Sequence, residues 1–355
     1  MKATLHIHSI TRRSWRVSLK NISRLYLVLG SLLFATFITF VLQLWLGEYP
    51  IAPFDVLNTL LSRQVTDKNY HFVVMELRLP RAIVAWMVGM ALGASGAIIQ
   101  GLTRNPLASP DLTGVSAGAS AGAVTMFVFF PGAPDVLLPL AAFGGGIFTA
   151  WLLYLFAWRN RSTAGSDSPL RLILIGIGLS AVLSAFTSFA LTFSEIWNAQ
   201  RAMIWLTGTV YATGWDDVNA LFPWLVVGLP LTLLGARDLN VLNLGDNVAQ
   251  GLGLPLHTVR AFLLLLAVAL AGVTVTVAGI MGFVGLIAPH LARRLVGVMH
   301  EKLIPTSALM GGFLLILADL IGRTIRPPTE IPAGIVISIV GVPFFLYLLW
   351  KREKA

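Results

Sequence analysis

The chain reads as a series of apolar runs, most of them about as long as a lipid bilayer is thick. A membrane-spanning helix needs roughly 20 mostly apolar residues. Such runs lie at 25–46, 82–102, 113–131, 137–157, 170–192, 219–236, 261–280, 304–321 and 331–350. A tenth, "MGFVGLIAPHLA" at 281–292, is too short to cross as a plain helix and carries Gly282, Gly285 and Pro289. It reads as a broken or half-crossing segment, which is tolerated only where protein or water covers the backbone. Charged residues make up 12% of the chain, against about 25% in soluble domains. The expected fold is an all-α integral membrane protein with about ten transmembrane helices.

Charge decides which way those helices run. The net charge of +9 would suggest nucleic acid in a soluble chain. With ten crossings and the N-terminus inside, 18 Lys and Arg residues fall on cytoplasmic segments and 7 on external ones. If 281–292 does not cross, the split becomes 14 to 11. The positive-inside rule therefore selects ten crossings with both termini cytoplasmic, and the charge expresses topology, with no nucleic-acid partner implied. The basic stretch 1–24 is expected to be a cytoplasmic tail. The apolar run after it exceeds the roughly 7–15 residues of a signal peptide and is taken as a retained first span. Residues 25–351 then form one ten-helix domain with a cytoplasmic loop at 237–258, and 352–355 a second short tail. The chain has no cysteine, hence no disulfide and no thiolate metal site. His6 and His8 are close in sequence, but no carboxylate joins them, and no metal site is expected.

Small residues recur every four positions at Gly89, Gly93, Ala97 and Gly101, and again at Gly114, Gly118 and Gly122. That spacing lines one helix face and lets backbones approach closely, which predicts tight internal packing. Ser180, Ser184, Ser188 and Thr192 form a hydroxyl stripe on the fifth span. A lone hydroxyl bonds back to its own helix; four in register suggest the polar wall of a pathway, with Thr274 and Thr276 a weaker candidate for the facing wall. By these boundaries no ionisable residue sits in the middle of a span, where proton-coupled carriers keep relay groups. Asp319 and Arg323 fall near the end of the ninth span, at the interface. His290, beside Pro289, reads as a helix-end hydrogen-bonding residue. No Gly-x-x-x-x-Gly-Lys-Ser/Thr phosphate loop is present, so the energy for active transport would come from another subunit.

Two polar features remain. Externally, Arg78 and Arg81 in "RLPR", Arg323 and Arg326 stand beside helix-terminating prolines. Snorkelling explains them, as does a docking surface for an acidic partner. In the cytoplasmic loop, "LNLGDNVAQGLGLP" places Gly245, Ala249 and Gly253 on one face and Leu244, Val248 and Leu252 beside them. Asp246 at its start suits the positive end of a helix. Gly251 weakens the helix by up to ~1 kcal/mol relative to Ala, so a partner surface is needed to hold it. A helix-in-groove contact fits, whereas a membrane-surface helix would carry Lys and Arg.

These stretches, with "NPLASPDLTG" (105–114), "GFVGLIAPH" (282–290) and "EIPAGIVISIVGVPFFLYLL" (330–349), resemble the FecCD/BtuC-like permeases of ATP-binding cassette importers for iron-siderophores and vitamin B12. The resemblance runs from about Leu25 to Lys351. "SPDLTG", "AWRN" and "RLILIGIG" resemble the ferric enterobactin type within that family. The resemblance implies a non-enzymatic permease in the bacterial cytoplasmic (inner) membrane. A second permease subunit would accompany it, a related paralogue in preference to a second copy. Two ATPases, using ATP and Mg, would dock below, and an extracytoplasmic substrate-binding protein above. Gly245, Asp246, Ala249, Leu252 and Gly253 match the family's coupling helix, and Arg78, Arg81 and Arg323 match positions offered to acidic residues of the binding protein. The family's fifth helix lines the path, as the hydroxyl stripe would. No cofactor is expected on this chain. Ferric siderophore is the implied cargo, with cobalamin or haem as alternatives and a proton-coupled secondary transporter as a rival of another class.

Overall fold

The computed structural model describes residues 2–61, 67, 69–134, 136–158 and 169–352, with backbone only at 2–23, 112, 158, 169–170 and 351–352. The His6 and His8 side chains, the Arg159–Asn160 part of "AWRN" and the end of the C-terminal tail fall outside that description. The described residues are helical throughout, with no strand. Among the described residues, eight helices are long and apolar enough to cross a membrane.

The first is α1 (Lys2–Trp45), followed by a short helix, α2 (Pro53–Leu60). Then α3 (Asn69–His71) runs through a π-helical stretch, Phe72–Arg78, into α4 (Leu79–Thr103), one continuous 35-residue helix. Next come α5 (Val115–Phe129), α6 (Leu137–Trp158), α7 (Pro169–Thr192), α8 (Ile196–Leu206) and α9 (Trp215–Leu234). Two short helices, α10 (Ala236–Asn243) and α11 (Asp246–Gly251), precede α12 (Leu256–Ala278), α13 (Val284–Val296), α14 (His300–Thr324) and α15 (Ala333–Arg352). Each of the ten apolar runs corresponds to one helix. Missed among the link helices were α2, α10 and above all the 11-residue α8.

The predicted small faces form the core. A Cβ at Gly89 would overlap the Gly311 carbonyl, and one at Gly93 the Ser307 carbonyl. On α5, a Cβ at Gly118 would collide with Gly145 and Thr149 of α6. Without a strong hydrophobic drive inside lipid, such close backbone packing is what binds helices together.

Only 281–292 was expected to be broken, but the third span is short as well. The 15-residue α5 rises about 22 Å at 1.5 Å per residue, against a hydrocarbon layer of about 30 Å. It starts beside the middle of α7, where Gly114 adjoins the Gly176 carbonyl and Ser180 Oγ. The link 104–114 therefore climbs into the helix bundle without forming a full helix. Asn-Pro and Ser-Pro bias the preceding residues away from helix, and Gly114 closes the segment at φ +82°, which a glycine adopts at little cost. One acid is thus carried to membrane depth after all: Asp111 lies in this segment and accepts a 2.7 Å hydrogen bond from Ser116 Oγ.

Candidate functional site

The loop between α9 and α12 was expected to hold one amphipathic helix and holds two. Gly245, at φ +107°, forms the corner between them, so its role is conformational and not that of a small face. Asp246 is the first residue of α11, as predicted. The apolar side falls as the spacing requires, but of the expected small face only Ala249 is buried, Gly253 being exposed. Ala249 is fully buried, while Leu252 is 66% exposed, with Leu244 and Val248 exposed beside it. Gly253 ends the element at φ +82°: its N–H donates to the Gln250 carbonyl at 2.9 Å and Leu254 N–H to the Ala249 carbonyl at 3.0 Å.

Two arginines invisible to local sequence reading fix α11 to the bundle. Arg260, on α12, places one guanidinium nitrogen 2.7 Å from each Asp246 carboxylate oxygen. Arg104, at the end of α4, pairs with the same carboxylate and donates to the Leu242 carbonyl at 2.8 Å. Burial disfavours the charged form of Asp246, but the hydrogen bonds from Arg260 and Arg104 outweigh it and hold the carboxyl below its ordinary range. A second link joins α10 to α14. The Asn240 side-chain oxygen accepts the His300 backbone N–H at 3.0 Å and lies 2.8 Å from His300 Nδ1. α11 and α10 are thus tied directly to α4, α12 and α14.

The opposite face carries a second charged cluster, which holds three of the four arginines expected at a docking surface. Arg78, 6% exposed, donates to the carbonyls of Leu44 at 2.8 Å, Trp45 at 2.9 Å and Tyr49 at 2.6 Å. Arg323, 5% exposed, donates to the carbonyls of Gln43 and Leu46. Together they satisfy the open C-terminal end of α1, where four carbonyls lack partners in their own helix. Arg81 makes paired hydrogen bonds to Asp319 (3.0 and 2.7 Å) and to Glu330 (3.0 and 2.8 Å). Asp319, expected at the interface, is only 2% exposed and also accepts from Gln43 Nε2 at 2.9 Å. Arg326 is exposed. A cavity of about 460 Å³ opens among Glu48, Glu76, Arg81, Tyr211, Arg323 and Glu330, with the Arg81 guanidinium 5.7 Å from the Tyr211 ring centre.

Along α7, Ser184, Ser188 and Thr192 are exposed and Ser180 is half-buried. Ser180 and Thr192 donate back to their own helix, each at 2.8 Å, the bonding a lone hydroxyl makes. Thr274 is fully buried and bonds to Ala271 within α12. It is a packing residue, not a wall. A groove of about 680 Å³ lies between Thr207 after α8, Ile280 and Gly282 after α12, and Gly334 and Ser338 on α15. His290 lies inside α13, not at its end. Its ring meets Phe344 edge-on at 5.6 Å, and neither nitrogen has a partner among the described residues. No cluster of potential metal ligands occurs among the described residues.

The model of the FecCD transport family matches residues 35–351. The chain belongs to the FecCD transport family. As a FecCD protein it is a multi-pass membrane permease of the ABC importer type and is not itself catalytic. It is 43% identical, over 87% of its length and 90% of the relative's, to the Fe(3+)-citrate import system permease protein YfmE of Bacillus subtilis. It is 42% identical to the achromobactin transport system permease protein CbrC of Dickeya dadantii, over 96% and 95% of the two chains. Its fold matches a solved metal-chelate type ABC transporter in an inward-facing conformation, with a TM-score of 0.80 at 30% identity, covering 92% of this chain and 99% of that one.

Proposed function

We propose that this FecCD chain is the permease subunit of a binding-protein-dependent importer for ferric siderophore. ATP hydrolysis in partner subunits drives it. The observation that carries the reading is the outward apolar face of α11, braced by Asp246 to the ends of α4 and α12. A short helix that presents leucine and valine to water, yet is anchored by two ion pairs, fits a cleft on another protein. Gly245, Asp246, Ala249, Leu252 and Gly253 form that coupling element, and two Mg-ATP-using ATPases dock on its face, which is cytoplasmic. Likeness to ferric-citrate and achromobactin permeases supports ferric chelate as the cargo.

On this reading the opposite face is external and receives the binding protein. Arg326 meets acidic residues of that protein, while Arg78, Arg81 and Arg323 hold the end of α1 and the rim segment beneath it. A second permease subunit, a related paralogue, packs against the exposed sides of α7 and α15. Ser180, Ser184, Ser188 and Thr192 then face the path between the two, and both termini lie in the cytoplasm of a bacterial cell. The exposure of the stripe on the isolated chain supports this placement.

The test is uptake of labelled ferric siderophores and labelled cobalamin in cells lacking the chain and in cells with it restored. Loss of ferric uptake alone, rescued by the intact chain and not by Gly245→Pro, is the expected result. Loss of cobalamin uptake alone would overturn the cargo. Failure of the chain to co-purify with an ATPase from its own membranes would overturn the importer.

A further inference from the structure

Two helices, α4 and α14, have 25 residues each, lie side by side through the core, and hold charged or polar clamps at both ends. In the middle they touch backbone to backbone. A Cβ at Gly89, Gly93 or Gly311 would overlap a carbonyl of the other helix. At these positions no layer of side chains separates them, and the two backbones pack as one unit. Packed interfaces of this kind shift between discrete arrangements and do not deform continuously.

At the α11 end both helices grip the coupling loop. Arg104, next after α4, binds Asp246 and the Leu242 carbonyl. His300, the first residue of α14, is held by Asn240 of α10. Between them, Gln100 of α4 accepts from Arg293 of α13 at 3.1 Å.

At the far end, about 35 Å away at 1.5 Å per residue from Arg104 to Arg81, the same two helices are clamped again. Arg81 of α4 holds Asp319 of α14 through two hydrogen bonds. Its Nη1, together with the Nη2 it shares with Asp319, reaches Glu330, in the rim segment that follows α14. Gln43 brings in the end of α1 by donating to Asp319. A carboxylate this deeply buried costs stability unless it is fully paired, and here every pairing ties one element to another.

We propose that α4 and α14 act as a single rod that carries the position of α11 to the opposite rim, with Asp319 as the positioning residue at the far end; this rests on the importer reading above. Asp319 fixes the Arg81 side chain, and through it Glu330 and the rim, to the end of α14. Movement of the coupling loop then reorients the rim surface, and by reciprocity of linked equilibria an occupied rim biases the loop.

The chain has no cysteine, so Thr329→Cys, at an exposed position beside Glu330, gives it a single reporter thiol. The transporter is isolated with its ATPase subunits in nanodiscs. Maleimide labelling of the permease band is timed without nucleotide and after trapping with ATP and vanadate. The two rates are expected to differ by at least about fivefold. Adding Asp319→Asn should bring their ratio close to one while ATP hydrolysis continues, and Asp319→Glu should restore part of it. A merely structural role would lower yield or hydrolysis without selectively erasing this nucleotide dependence. If Asp319→Asn prevents assembly, Glu330→Gln breaks the same clamp from the rim and should shrink the ratio. The rod is overturned if the parent rates do not differ, or if the ratio survives whichever of these substitutions assembles. Absence of any co-purifying ATPase would instead sink the importer reading on which the rod depends.

Discussion

Asp246 is the residue through which the short loop helices reach the rest of the chain. Asp246→Asn removes the carboxylate charge that Arg260 and Arg104 both hold. Charged hydrogen bonds contribute about 1.5–3 kcal/mol each. The expected outcome is a loss of coupled uptake of more than about tenfold, with the permease still in the membrane, checked by transport and by ATPase pull-down from one preparation. The pH response follows from the same pairing. Because the folded state holds this carboxyl below its ordinary value, its contribution is fully present above that value and is lost as pH falls through the lowered one. Loop attachment, followed by limited proteolysis between Leu242 and Pro255, should therefore be constant from about pH 8 to about pH 5. Gly245→Ala places a Cβ at φ +107° and should cost about 1–3 kcal/mol of local strain, read as weaker ATPase retention than in the parent. At this scale the sequence was half legible. Gly245, Asp246 and Ala249 sit in one short pattern, but Arg104 and Arg260 become visible only when 142 and 14 residues of separation close. For Arg78 and Arg323 the sequence was ambiguous, because a cation beside a proline looks the same whether it faces a partner or caps a neighbouring helix.

At the scale of elements, the spans were legible because burial in lipid demands unbroken apolar length, and the four-residue glycine spacing reported the tight seams. Gly93→Leu should be lethal to folding. Its Cβ alone overlaps the Ser307 carbonyl, and overpacking of about 3 kcal/mol or more should appear as loss of the chain from membranes. The stripe on α7 gives a contrasting case. Ser184→Leu with Ser188→Leu changes an exposed face and should lower uptake at unchanged protein level, whereas Thr274→Val, buried and bonded to its own helix, should affect transport little. The shortness of α5 was not legible. Hydropathy counts apolar residues from 113 onward and cannot tell that Pro106, Pro110 and Gly114 carry the chain upward before the helix begins. The link helices α2, α8 and α10 were missed for a similar reason: their register is set by contacts with the bundle, not by an apolar period of their own.

At the scale of the whole molecule, the two polar ends and the apolar middle make one continuous mechanical object, and the charges outside the middle determine what it meets. Interactions between exposed charges are screened beyond about 8 Å at physiological salt, so an exposed residue such as Arg326 should matter most at low ionic strength. Arg326→Glu is expected to slow association with the binding protein and to make that association less salt-dependent, measured as on-rates across a salt series. The same architecture also constrains how the protein is made. The 15-residue α5 and the 13-residue α13 are each shorter than the hydrocarbon layer of about 30 Å, and each is preceded by irregular backbone that lipid cannot satisfy. Neither can be released sideways into lipid on its own as it leaves the ribosome. Each must wait for the neighbours that cover it: α6 and α7 for the first, α4 and the later-synthesised α14 for the second. Biogenesis therefore cannot proceed strictly one helix at a time, and the centre of the membrane domain closes only after most of the chain has been translated.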